Sequence, residues 1–110
     1  MMINDNGTYR YKSNVAADSA DVLFLPNRRE AMNDYPAQAA VAVVVVPTPG
    51  ASAIVEATIS APSDVSAGMA VWEPWPAGTT TSQASGKIVP APTALRCTAT
   101  GGDVYWEVML

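Results

Sequence analysis

The chain contains no histidine, and that absence excludes more chemistry than anything else in its composition. Histidine is the side chain whose unperturbed pKa lies nearest neutrality, and it is the commonest metal ligand. A serine or cysteine nucleophile lacks its usual base without it. Cysteine occurs once, at Cys97, which excludes an internal disulfide and leaves zinc without a ligand set. Phenylalanine also occurs once, at Phe24. Long hydrophobic runs are missing: the longest, residues 37–46 with Gln38 inside it, is too short to cross a bilayer. The first fifteen residues are polar and hold no apolar stretch of the signal-peptide kind, so folding in a reducing cytoplasm is expected.

Basic residues are few. Six stand against ten acidic ones, for a formal net charge of −4. A nucleic-acid binder needs a basic face, so neither nucleic acid nor a membrane is an expected partner. Four of the six cations, Arg10, Lys12, Arg28 and Arg29, fall in the first thirty positions, where a mildly basic segment could meet an acidic protein surface. No glycine-rich phosphate loop or calcium loop is present. Among the carboxylates, Asp18 and Asp21 lie in a polar stretch, and Glu56, Glu73 and Glu107 lie on expected strands. A glycosidase needs two acids opposed across a cleft, for which a domain this small has little room. The expectation is a non-enzyme with no catalytic residue, no cofactor and no metal.

What remains is a chain of 110 residues, 49% apolar, with alanine and valine dominant and nine prolines and seven glycines as punctuation. No stretch keeps a helical period beyond about ten residues, which points to an all-β fold of short strands. The clearest local pattern is at the end. Residues 94–100 and 103–110 alternate on either side of Gly101-Gly102, which predicts a β-hairpin with a two-residue turn. In that register Ala99 faces Val104, Cys97 faces Trp106 and Leu95 faces Val108. On the other face Thr98 meets Tyr105 and Arg96 meets Glu107, a cross-strand ion pair worth roughly 0.2–1 kcal/mol. The apolar face needs a second layer. It makes Trp106 a core residue and Cys97 a buried structural thiol rather than a reactive one.

Upstream, Val22–Leu25 reads as a strand closed by Pro26. Residues 27–35 read as one or two helical turns or an ordered loop, stopped by Pro36. Residues 39–46 form a valine-rich interior strand. Residues 53–60 alternate and make a second hairpin with it through Pro47–Gly50. Met69–Trp75 is a strand limited by Pro74 and Pro76. Residues 77–86 are a polar loop, and Lys87–Val89 is a short strand. Residues 1–21 read as a flexible N-terminal arm, in which residues 8–12 alternate and could add a strand to a sheet edge. Tyr9 and Tyr11 project from one side of that piece. The expected organisation is an arm at 1–21 and a domain at 22–110. The domain is an antiparallel two-sheet β-sandwich of about seven strands, immunoglobulin-like or jelly-roll.

The aromatic cluster Trp72, Trp75, Tyr105 and Trp106 offers either a stacking platform for sugar rings or anchors for a protein partner, with Trp106 itself expected in the core. An acidic, histidine-free, Ala/Val/Thr/Pro-rich β domain with the ending Thr-Ala-Leu-Arg-Cys-Thr-Ala-Thr-Gly-Gly-Asp-Val-Tyr-Trp-Glu-Val, a valine-rich central strand and a polar arm resembles small virion proteins of tailed bacteriophages. The likeness is to the capsid decoration, or cement, type. It covers the chain in composition and has no diagnostic motif, so no family residues carry over. It implies a structural protein made in the host cytoplasm and carried on the virion surface. Such a protein binds the major capsid protein of the assembled head, as a homodimer or homotrimer, and stabilises it. Expected partner-binding residues are Tyr9, Arg10, Tyr11, Lys12, Arg28 and Arg29, with Trp72 and Trp75. The alternative is a glycan- or receptor-binding module of a tail or fibre.

Overall fold

The computed structural model describes residues 2–5, 8–25, 41–88 and 92–109. Within them the chain forms β1 (Met2–Asp5), β2 (Thr8–Val15), β3 (Ala20–Phe24), β4 (Val41–Pro47), β5 (Ser52–Thr58), β6 (Glu73–Pro74), β7 (Ala84–Ile88), β8 (Ala94–Thr100) and β9 (Val104–Met109). One short helix, α1 (Pro62–Ser66), has proline in its first turn, where the missing N–H costs nothing. The strands make two antiparallel sheets packed face to face, ordered β1-β2-β9-β4-β7 and β3-β8-β5-β6. The fold is an all-β sandwich, as the composition predicts.

The order of the strands separates the two expected topologies. The last two strands are inserted between earlier ones in both layers: β9 lies between β2 and β4, and β8 lies between β3 and β5. Consecutive strands mostly change layer instead of pairing. That is the eight-strand jelly roll, with β1 added at one edge.

Both expected hairpins are corrected by this arrangement. β8 and β9 belong to different sheets, as do β4 and β5. Arg96 therefore does not face Glu107. It stands opposite Glu56 on β5, with Nη2 2.8 Å and Nε 3.1 Å from Glu56 Oε1. The expected alternation itself is correct. Leu95, Cys97 and Ala99 point inward from one layer, and Val104, Trp106 and Val108 point inward from the other. The two apolar rows meet across the sandwich rather than side by side in one sheet.

The physical reason lies in the turns. Three corners carry the chain between layers at one end, at residues 16–19, 48–51 and 101–103, and each holds one residue in the left-handed region: Asp18 (φ 58°), Gly50 (φ 86°) and Gly101 (φ 78°). The corners are stitched together. Asp103 Oδ1 accepts from Ala17 N at 2.9 Å, and Asp18 Oδ1 accepts from Gly101 N at 3.0 Å. The Asp103 carbonyl accepts from both N and Oγ1 of Thr48, at 3.0 and 2.7 Å. Only Gly101 of the Gly-Gly pair has positive φ, whereas a type I′ hairpin turn would need it at both. Gly102 sits in a close approach: a Cβ there would lie 3.0 Å from the Ala51 Cβ and 3.1 Å from Thr48 Oγ1.

The core lies between the layers. It contains Val15, Leu23, Val41, Val43, Val45, Val55, Trp75, Leu95, Cys97, Val104, Trp106 and Val108. Residues 8–15, expected within the arm, instead form β2, paired with β9 over residues 10–15, and Val15 is part of the core. Alternation explains this: Tyr11, Ser13 and Val15 turn toward the opposite layer, and Arg10, Lys12 and Asn14 turn away from it. The expected strand at 69–75 shrinks to Glu73–Pro74: upstream, Met69 N and Val71 N bond to Asp64 O and Ser60 Oγ, and downstream Pro76 cannot donate to a ladder. Part of the expected polar loop, residues 84–86, is the start of β7. The reading of residues 27–35, with Arg28 and Arg29, lies outside the described residues.

Candidate docking surfaces

The inner faces of a jelly roll are consumed by its core, so the chemistry open to partners is on the outer faces. On the five-stranded sheet the registers align Arg10, Met109, Ala42 and Lys87 in one row across β2, β9, β4 and β7. The next row is Lys12, Glu107, Val44 and Ser85. A shallow groove of about 450 Å³ lies on this face, with Arg10 and Lys87 among its lining residues. This acidic protein thus carries three cations and one carboxylate on that face in these rows. Lys87 escapes sequence analysis because it is far from Arg10 and Lys12 in the chain. Only the strand order brings it alongside.

The outer face of the four-stranded sheet is different. The Arg96 guanidinium, held by Glu56, lies 4.3 Å from the centroid of the Trp72 ring. Beside it Val22 and Phe24 are 40% and 44% exposed, and a 360 Å³ groove runs from them to Val65, Ala70 and Trp72. The connection around α1 carries further exposed apolar side chains: Ile59 is 86% exposed, Met69 75% and Val71 73%. A wider groove of 690 Å³, lined by Ile59, Val71, Trp75, Pro76 and Ile88, lies at the end away from the corners. These side chains leave the domain with apolar surface that its own fold does not cover. Neither periodicity nor strand spacing reveals it, because residues 59–72 carry their apolar side chains outside any long strand.

The expected partner residues divide between these places. Arg10 and Lys12 lie on the outer face of the five-stranded sheet. Tyr11 does not join them. It turns inward, its hydroxyl donates to Asp21 Oδ2, and its ring stands edge-on to Trp106 with centroids 5.7 Å apart. Tyr9 pairs with Asn4 through the β1–β2 ladder. Trp72 is half-buried on the outer face against Arg96. Trp75 is in the core, its Nε1 donating to Gly78 O at 2.7 Å, and a Cβ at Gly86 would sit 3.3 Å from its ring. The two tryptophans therefore do not form one platform. Their burial differs because Trp75 follows β6 with its backbone N bonded to Val55 O, inside the sandwich, whereas Trp72 precedes β6.

One polar contact crosses the core. Asp21 on β3 accepts from Tyr11 and, at 3.0 Å, from Trp106 Nε1 on β9, and so ties the two layers together. It also faces Cys97, its neighbour on β8. Burial, and then the Asp21 charge, push the Cys97 thiol from its ordinary 9.0 up to about 12. Burial and the Asp21 hydrogen bond likewise raise Tyr11. Cys97 is fully buried and carries its proton at neutral pH, the state of a structural thiol. A group whose folded pKa is raised contributes stability that is complete below its unfolded pKa and lost as pH rises through the folded one. Urea midpoints are therefore expected to fall steadily between pH 9 and 12, with a shallower fall in Cys97→Ala. Parallel slopes for the two proteins would refute this.

The fold and its faces define a jelly-roll module with a filled apolar interior and two dissimilar outer surfaces. No protein-family model and no curated protein matches the chain. A solved structure reported with a study of the mechanism of oxalate oxidase superposes with a TM-score of 0.53 at 11% identity, over 94% of this chain and 41% of that one. The chain thus spans well under half of that protein, and the likeness shows the shared fold alone. Bacillus endospore appendages, described as disulfide-linked pili, superpose more loosely, with a TM-score of 0.38 at 15% identity over 97% of this chain and 91% of that one.

Proposed function

We propose that the chain is a non-enzymatic structural protein of a virus particle, a capsid decoration or cement protein that docks on the assembled head and stabilises it. The observation that carries this reading is the exposed apolar surface of Ile59, Met69 and Val71 on a domain whose interior is already filled. Jelly rolls are a recurrent architecture of viral capsid domains. An apolar surface on one side and a basic face on the other suit a clamp between neighbouring subunits of the major capsid protein. Binding only the assembled shell stabilises it by mass action, with no reaction needed. The protein would then reside on the virion surface, with no nucleic acid or membrane as partner. The glycan-binding alternative loses its platform, because Trp75 is in the core and Arg96 stacks on Trp72.

The test is co-sedimentation of the purified full chain with purified tailed-phage heads. The protein is expected in the pellet, and the heads are expected to resist heating better with it than without it. Met69→Asp with Val71→Asp, both at exposed positions, should move the protein to the supernatant while leaving its thermal unfolding unchanged. Wild-type protein that stays in the supernatant would sink the reading.

A further inference from the structure

Antiparallel sheets leave backbone groups unpaired at their edge strands, and natural proteins guard those edges with proline, lysine or extreme shortness. β6 is guarded by its two-residue length and Pro74, and β7 carries exposed Lys87. β3 is not guarded. It has no proline and no cation, and its one charge, Asp21, is turned inward onto Tyr11 and Trp106.

The bonding of β3 to β8 shows which groups are free. Leu25 N donates to Thr93 O, and Ala99 N donates to Ser19 O. Bonded pairs alternate along an antiparallel ladder, so Ser19, Asp21, Leu23 and Leu25 direct their N–H and C=O toward β8. Ala20, Val22 and Phe24 direct theirs away from the sheet. Among the described residues no strand pairs with that side.

We infer that the β3 edge is the dimer interface of this protein, with β3 of a second copy pairing antiparallel about a two-fold axis at Val22. That register is selected by the free groups themselves. Val22 meets Val22 of the second copy, and Ala20 meets Phe24 in both directions, so every outward N–H and C=O of the three residues gains a partner. The same register sets the large Phe24 opposite the small Ala20 and leaves Val22 against itself, on the outer face where Val22 and Phe24 are 40% and 44% exposed. The neighbouring groove to Val65 and Trp72 extends the apolar contact. The product is one continuous sheet built from both four-stranded layers, with the isologous geometry that a two-fold requires. This assignment does not depend on the larger assembly proposed above, so a soluble dimer that ignores phage heads would overturn that proposal and leave this one standing.

Light scattering of the full chain at roughly 100 μM should return twice the 11.5 kDa chain mass. Val22→Pro removes the central outward N–H without touching a bond to β8, and proline is tolerated at such an edge position. It should weaken the dimer at least tenfold with little change in circular dichroism. Val22→Lys, which places a charge beside its own copy, should do the same and stands in if the proline variant fails to fold. Amide exchange at Ala20, Val22 and Phe24 should slow with protein concentration, while Asp21 and Leu23 stay protected throughout. A wild-type monomer at that concentration would overturn the inference. So would a dimer that survives in a folded variant, or a dimer in which those three amides exchange freely.

Discussion

Trp106→Ala is expected to lower the unfolding free energy by about 3–5 kcal/mol, the range for a large aromatic removed from a packed core. Trp106 is fully buried and lies on β9, the strand inserted between β2 and β4, with Ser13 and Val45 as its register neighbours. Its ring meets Tyr11 edge-on, and its Nε1 reaches Asp21 in the other layer. The substitution therefore removes packing inside one sheet, an aromatic pair and half of the tie between sheets. A domain of this size is stable by about 5–15 kcal/mol in total, so the variant should unfold at much lower urea with an unchanged slope. Trp106→Phe keeps part of the volume and loses the hydrogen bond, and should fall between the two. Trp72→Ala is the control: its ring is half-buried and packs only on the outer face. Equal losses for Trp72→Ala and Trp106→Ala would show that the core is not organised around β9.

Asp21→Ala should cost about 2–4 kcal/mol, more than an ordinary surface carboxylate. The carboxylate accepts from two aromatic donors that approach from the opposite layer. Removing it strands the Tyr11 hydroxyl and the Trp106 N–H where water replaces the lost acceptor poorly. Asp21→Asn keeps an acceptor oxygen and should cost less. Tyr11→Phe alone deletes donor and demand together and should cost about 1 kcal/mol. The two changes share one network, so the double variant should lose less than the sum of the singles. Strict additivity in urea titrations would mean that the tie contributes nothing to holding the layers together.

Both variants bear on how far the sequence could be read. Asp21 sits in a stretch of small polar residues, and nothing local marks it as a core contact; its role exists because the 16–19 corner turns β3 to face β2. The same is true of Lys87, which reaches the side of Arg10 and Lys12 through three intervening pairings. The apolar surface at Ile59, Met69 and Val71 was hidden for another reason. The strand expected at 69–75 forms only over Glu73–Pro74, and β5 ends at Thr58, so Ile59, Met69 and Val71 lie outside both sheets and are left in solvent.

What the amino-acid order determined alone was the inward or outward direction of the side chains along β5, β8 and β9, and with it the all-β class and much of the core. Val55, Cys97 and Trp106 are buried as alternation requires. Alternation is a property of one strand at a time, and it is the same whether the next strand lies beside it or across from it. The tertiary structure decided between those two. Three stacked corners, bound by Asp18, Asp103 and Thr48, send successive strands to opposite layers and give Arg96 the partner Glu56 in place of Glu107. That choice rests on hydrogen bonds between residues more than fifty positions apart in the chain, which no local pattern encodes.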